Sequence, residues 1–213
     1  MRIFTHHSPD LDAVCSVWAA RQFIPGVKDA ALEFRPANWD GAGMVEGDLA
    51  LDMTAGGRGI KGEKDPDGRV HSCFVTLVAQ HASPEDQSAL APLVPFVDAQ
   101  DAHGSAVKFL APEASEEALR VLGSTGLNSV FRALQSFHRN DTLVVERLSE
   151  ILSGILQAGR ARARAAVEAD KAEILDGGRV AVVSNSREFG TNAVLFERGV
   201  QVVVYVDGHN LGV

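Results

Sequence analysis

Thr5-His6-His7-Ser8-Pro9-Asp10-Leu11-Asp12-Ala13-Val14 follows a short apolar start, Ile3 and Phe4, and leads into a helix-like run from Cys15 to Phe23. This order reads as a buried strand over residues 2–5, a polar loop, and a helix over 11–24 that Pro25-Gly26 ends. A strand that feeds a helix through a short loop is the opening of an α/β unit, and ligands of open α/β sheets collect at the carboxyl ends of strands. The loop carries His6, Asp10 and Asp12 at that place. Imidazole with carboxylate oxygens suits a divalent ion such as Mn²⁺ or Mg²⁺. Helix capping accounts for one of the two aspartates, but not for a histidine followed by both.

Working outward, residues 31–35 and Asp48-Leu49-Ala50-Leu51-Asp52 read as further strands. Residues 54–69 are rich in Gly, Lys and Asp and read as a loop. Helices are expected over 72–81 and 84–91, and Leu93–Val97 reads as a strand or a helix end leading to Asp98. The alternation predicts an α/β fold: a mostly parallel sheet with flanking helices. Residues 141–175 read as one long connecting helix with Val144, Leu148, Ile151, Leu152, Ile155 and Leu156 on one face, ended by Gly177-Gly178. Runs at 179–183, 193–196 and 200–206 then predict a smaller C-terminal α/β lobe, rich in strands. The expected domains are 1–110, a metal-binding α/β lobe; 111–175, a helical connector; and 176–213, the small lobe.

The 213 residues carry a net charge of −8, which argues against a nucleic-acid or membrane-surface binder beyond short oligonucleotides. Cys15 and Cys73 lack CxxC spacing, so free thiols are expected. There is no signal-like N-terminus and no apolar run near the ~18–20 residues a membrane span needs; a cytoplasmic protein is the expectation.

His6-x-x-Pro9-Asp10-x-Asp12-Ala13 resembles the first motif of the DHH phosphoesterase superfamily, and the motif order is similar over about the first 105 residues. The resemblance implies one or two Mn²⁺ or Mg²⁺ ions; a pair about 3.5–4 Å apart clamps a phosphoryl group and activates a water. It assigns His6 and Asp10 to one ion and Asp12 to the other, Asp52 to the bridging second motif, and Asp98 to the fourth, with Asp10 and Asp52 central to catalysis. The third motif, Asp-His-His, is absent. Its slot reads Gly59-Ile60-Lys61-Gly62-Glu63, and a lysine near a cation disfavours metal. His71 is the alternative remnant, or a helix-start histidine.

Asp207-Gly208-His209-Asn210-Leu211-Gly212 is similar to the family's Gly-rich, His-containing loop that contacts substrate phosphate, though with only one Gly before the His, and reads equally as a tight turn after a strand. Candidate substrate contacts are therefore His7, Lys61, His71, His103, Arg187 and His209. For His7, a ligand, a substrate contact and a helix-start residue stay open. His103 and Asp101 also fit turn and cap chemistry before Gly104. Arg160-x-Arg162-x-Arg164 spreads around a helix and reads as a solvated face. The implied activity is hydrolysis of a phosphoanhydride or phosphodiester of a small nucleotide or polyphosphate, in a cleft beside the smaller lobe. The alternative is a degenerate phosphate- or nucleotide-binding or regulatory protein on the same fold. A third use makes the apolar face of 141–175 the seam of a homodimer, although such a face is more often core.

Overall fold

The structure, a computed structural model, describes residues 1–64, 66–186 and 188–208, and the backbone of 210–212. The fold is α/β and divides into two compact units: residues 1–83 with 91–154, and residues 84–90 with 155–213.

The first unit is built on three parallel strands in the order β2-β1-β3: β1 Arg2–His6, β2 Ala31–Arg35 and β3 Leu49–Ala50. Ile3, Phe4 and Thr5 are all buried, as expected of a central strand with two neighbours. The Thr5 hydroxyl donates to Leu51 O at 3.1 Å, so its burial leaves no polar group unpaired. Phe4 packs with Ala50, Met53, Ala55 and Trp39, so a loop rather than a helix covers that part of the strand.

α1 (Leu11–Phe23) is buried from Leu11 through Ala20. A helix apolar on nearly all sides is an interior helix, and α1 packs against both α2 (Cys73–His81) and α4 (Leu93–His103). The run 93–97 is thus helical. Pro95 falls in the first turn of α4, where its missing N–H removes no helical bond. Gly104, with φ 69°, closes the helix by donating its N–H to Gln100 O at 2.9 Å. Asp98 therefore projects from mid-helix instead of ending a strand. Three short helices follow: α5 Ala106–Leu110, α6 Glu116–Thr125 and α7 Leu127–Phe137.

α8 runs Asp141–Asp170, about 45 Å at 1.5 Å per residue. Asn140 caps it, its Oδ1 accepting from Thr142 N at 2.9 Å. Val144, Leu148, Leu152 and Leu156 are buried at a spacing of four, whereas Ile151 is exposed. The helix stops short of the expected residue 175, because Glu173–Leu175 forms β4 and pairs antiparallel with β5 (Val180–Ser184). An added edge strand outcompetes one more helical turn there.

The second unit has the sheet order β4-β5-β6-β7, with β6 Val202–Asp207 and β7 Asn210–Gly212. β5 and β6 are parallel, and parallel neighbours need a crossover. The run 193–196, expected as a short strand, supplies it as α9 (Thr191–Glu197). Ala165 and Ala169 of α8 close this core with Val183, Leu195 and Val203. α3 (Pro84–Ala89) belongs here. Gly159 explains why: a Cβ on it would lie 2.2 Å from Ala89 O, so only glycine admits α3 at this distance. The three arginines of α8 diverge to separate acids: Arg160 to Asp86 at 2.6 Å, Arg162 to Glu197, and Arg164 to Glu188 at 3.2 Å. They form no basic stripe. Among the described residues, no helix is long and apolar enough to cross a membrane.

Candidate metal centre

β1 is followed by connections to β2 on one side and β3 on the other, so its carboxyl end lies where the strand order reverses. A crevice opens at such a switch point. His6 ends β1, Asp52 lies just past β3, and Asp10 is the N-cap of α1, its Oδ1 accepting from Ala13 N at 2.9 Å. One ligand atom from each of His6, Asp10 and Asp52 lies within 4.8 Å of the others. This His/Asp/Asp group is capable of coordinating a divalent cation.

The local backbone is shaped for this convergence. Ser8 and Asp52 both take positive φ, 50° and 53°, a region costly for most residues but tolerated by Asp. The Asp52 N–H is secured by Ile60 O at 2.9 Å. Ser8 N–H donates to Asp141 Oδ2 at 2.9 Å, and Gln135 Nε2 donates to Pro9 O at 3.0 Å. Residues more than a hundred positions away therefore clamp the loop that carries Asp10.

His6 Nδ1 lies 3.1 Å from His7 O, and Nε2 lies 3.2 Å from Asp52 Oδ2. A carbonyl that takes the Nδ1 proton directs Nε2 into the cluster, the outer-sphere arrangement typical of metal-ligating histidines. The hydrogen bond to Asp52, aided by the His7 carbonyl and the charge of Asp10, raises the His6 pKa to about 9 against burial. Without a cation, the imidazolium donates to Asp52 and lies in the field of Asp10; a cation would take the place of that proton. The donor set thus fits a divalent ion, and binding would release a proton.

Asp12 is used differently. Its Oδ2 accepts from Cys73 N and its Oδ1 from Phe74 N, both at 2.9 Å. It caps α2 from a distance and is 3% exposed. Burial, then the charge of Asp52, pushes its pKa to about 7 against the pull of the two N–H groups. Asp98 is 5% exposed and also engaged: it accepts from Ser72 N at 2.9 Å, and pairs with Arg69 and with His71 Nδ1 at 3.2 Å. Neither belongs to the converging group. Asp101, one turn after Asp98, stands closer in effect: burial and the charges of Asp10, Asp52 and Asp98 raise its pKa, while Lys61 lowers it.

Lys61 is thus in electrostatic reach of Asp101. His71 is tied to Asp98. His7 is exposed and its ring faces Phe34, centroids 6.4 Å apart. His103 stacks on Phe109 at 4.0 Å, apart from the cluster. Arg187 and His209 lie outside the described residues. Both cysteines are buried and free, and burial raises their pKa values, that of Cys73 to about 12, so neither is a thiolate.

Both shifts give one sign for stability against pH. Asp12 keeps its proton in the folded chain to about pH 7, against 3.8 for an ordinary Asp; His6 keeps its proton to about 9, against 6.5. Each contribution is complete below the ordinary value and is lost as pH rises through the folded one. The cation-free Tm is expected to fall between pH 4 and 9. Because cation and proton compete at His6, the Tm increment on adding Mn²⁺ is expected to grow over pH 6–9. Thermal melts with EDTA and with Mn²⁺ measure both slopes, and a flat increment would contradict the competition.

No family model matches the chain, and no curated protein matches it. Among solved structures, it is similar to an uncharacterized protein from Helicobacter pylori G27. That alignment covers 97% of this chain and 83% of the other at 12% identity, with a TM-score of 0.29, a level from which no common fold is read.

Proposed function

We propose that this chain is a divalent-cation-dependent hydrolase of the DHH phosphoesterase kind, cleaving a phosphoanhydride or phosphodiester of a small nucleotide or polyphosphate. The observation that carries the reading is the convergence of His6, Asp10 and Asp52 at the switch point of the sheet. The ligand set is these three residues and the occupancy one ion, since both oxygens of Asp12 and those of Asp98 are engaged elsewhere.

A divalent cation at such a site supplies Lewis-acid polarisation of a phosphoryl oxygen and of water. The chain does the rest. His6 is aimed by the His7 carbonyl, and Asp10 and Asp52 offset the ion's charge. Asp101 lines the same cavity as Asp10. Its side chain has no hydrogen bond among the described residues, whereas both oxygens of Asp12 are engaged. Its pKa is raised, so it is the carboxylate placed to take a proton from the attacking water.

A second reading, phosphate or nucleotide binding without turnover, is favoured by the missing imidazoles of the third motif and by Lys61 in that slot. Phosphate release from ADP and pyrophosphate, and p-nitrophenol release from bis-p-nitrophenyl phosphate, separate the two when run with Mn²⁺ against EDTA. Mn²⁺-dependent release that disappears in Asp10→Ala supports the hydrolase. Mn²⁺ binding with no release on any substrate supports the binding protein.

A further inference from the structure

Two cavities of the first unit share the lining residues Gln100 and Asn128. The nearer, about 270 Å³, has Asp10, Asp12 and Asp101 on one wall and α7 on the other. The farther, about 380 Å³, is lined by the apolar side chains of Phe96, Leu119 and Leu122, with Lys108 and Arg120 also contributing. Gln100 and Asn128 border both, so the two are adjacent and form a trough that leads away from Asp10 of the candidate metal centre.

The polar groups of the nearer cavity differ in what they have left to offer. Gln135 is spent on Pro9 O, and Gln100 bonds Gly104 O and Ala106 N. The side chains of Asn128 and Arg132, one turn apart on α7 and therefore on one face, have no hydrogen bond or ion pair among the described residues. Phe131 between them is 4% exposed and anchors the helix. Lys108 and Arg120 likewise have no ion pair among the described residues. In a chain of net charge −8, a cation with no ion pair, Arg132, in the cavity that Asp10 of the candidate cation site also lines matches a ligand with two negative groups close together. Apolar lining beyond it matches a ligand that also has an uncharged body. Inorganic polyphosphate would leave that lining wet. The farther cavity lies within the ~300–1,000 Å³ usual for small-molecule sites.

We propose that this trough binds a nucleotide with two linked phosphates, a substrate class that rests on the phosphoryl reading above. One phosphate sits at the His6/Asp10/Asp52 site. The next lies against Arg132 and Asn128, where a guanidinium forms charge-assisted bonds to phosphate oxygens. Sugar and base occupy the cavity beside Phe96, Leu119 and Leu122.

The test uses two probes that resist hydrolysis: adenosine 5′-(α,β-methylene)diphosphate, and methylenediphosphonate, which has the same two phosphorus groups and no nucleoside. Binding to the Mn²⁺-loaded full chain is measured by calorimetry. The nucleotide probe is expected to bind at least roughly tenfold tighter than the bare diphosphonate, and Arg132→Ala to weaken it by roughly tenfold or more. Gly123→Phe is the second variant. Gly123 lines the farther cavity, lies within α6, and a Cβ there meets nothing within 4 Å; leaving glycine also favours the helix. This variant is expected to lose the nucleotide probe while retaining Mn²⁺ and the diphosphonate. Equal affinity for the two probes, or unchanged nucleotide binding in both variants, overturns the inference and leaves the cation-dependent phosphoryl site standing. Mn²⁺ binding with neither probe bound overturns both, as does a wild-type chain that takes up no Mn²⁺.

Discussion

Asp52→Asn is expected to weaken Mn²⁺ binding by roughly a hundredfold or more, beyond the 10–100-fold cost of losing an outer-sphere partner. Three features make this substitution a clean probe. Asn has nearly the shape of Asp and accepts the positive φ of 53° without added strain. The backbone N–H still bonds Ile60 O, so the turn after β3 keeps its anchor. What is lost is the negative charge at Oδ2, 3.2 Å from His6 Nε2. A neutral amide oxygen is a weaker ligand for a hard cation than a charged carboxylate, and His6 loses the largest contribution to its raised pKa. At pH below about 6, where the half-buried His6–Asp52 pair contributes stability through the raised His6 pKa, the cation-free Tm should fall; it should change least above pH 9. Calorimetric titration with Mn²⁺ reads the affinity, and retained affinity in a folded variant would remove Asp52 from the ligand set.

Asp12→Ala should have the larger effect on stability. Its two oxygens satisfy the N–H groups of Cys73 and Phe74 at the start of α2, and the carboxyl is almost wholly buried. Truncation leaves two buried donors without partners, at about 1–3 kcal/mol each. A loss of about 2–4 kcal/mol in urea unfolding is expected. Asp12→Asn, which keeps one acceptor oxygen, should cost less than Asp12→Ala. A change below about 0.5 kcal/mol in Asp12→Ala, the usual range for surface sites, would contradict the capping role. Because Asp12 lies two residues after Asp10 on α1, a drop in Mn²⁺ affinity would follow only through displacement of α1.

The strand-loop-helix opening was legible because its signals are local. The apolar start, the loop acids and the helical run up to Pro25-Gly26 all lie within one stretch, and His6 and Asp10 came with them. Asp52 was legible for the same reason, an acid after a short apolar run. Asp98 was not, because Leu93-Val94-Pro95-Phe96-Val97 has no period that separates strand from helix, and only its packing against α1 and α2 settles it as helix. Asp12 reads as a ligand in a motif, yet its oxygens point at N–H groups some sixty residues later. Ala193–Phe196 is apolar enough for a strand; the parallel pairing of β5 with β6 makes it a crossover helix. The clamp on the Asp10 loop by Gln135 and Asp141 has no sequence signal, since its partners are apart by 126 and 133 positions. Asn128 and Arg132 have no sequence signal, because a helical pair at spacing four reads as a solvated face and only the cavity beside it sets it apart.

The central claim is that His6, Asp10 and Asp52 hold one divalent cation. Elemental analysis of the full chain after dialysis against Mn²⁺ and removal of free metal tests it most directly, with Asp10→Ala beside it. The account predicts close to one Mn²⁺ per chain, and a large loss in the variant. No Mn²⁺ in the wild-type chain, or the same content in Asp10→Ala, would contradict it.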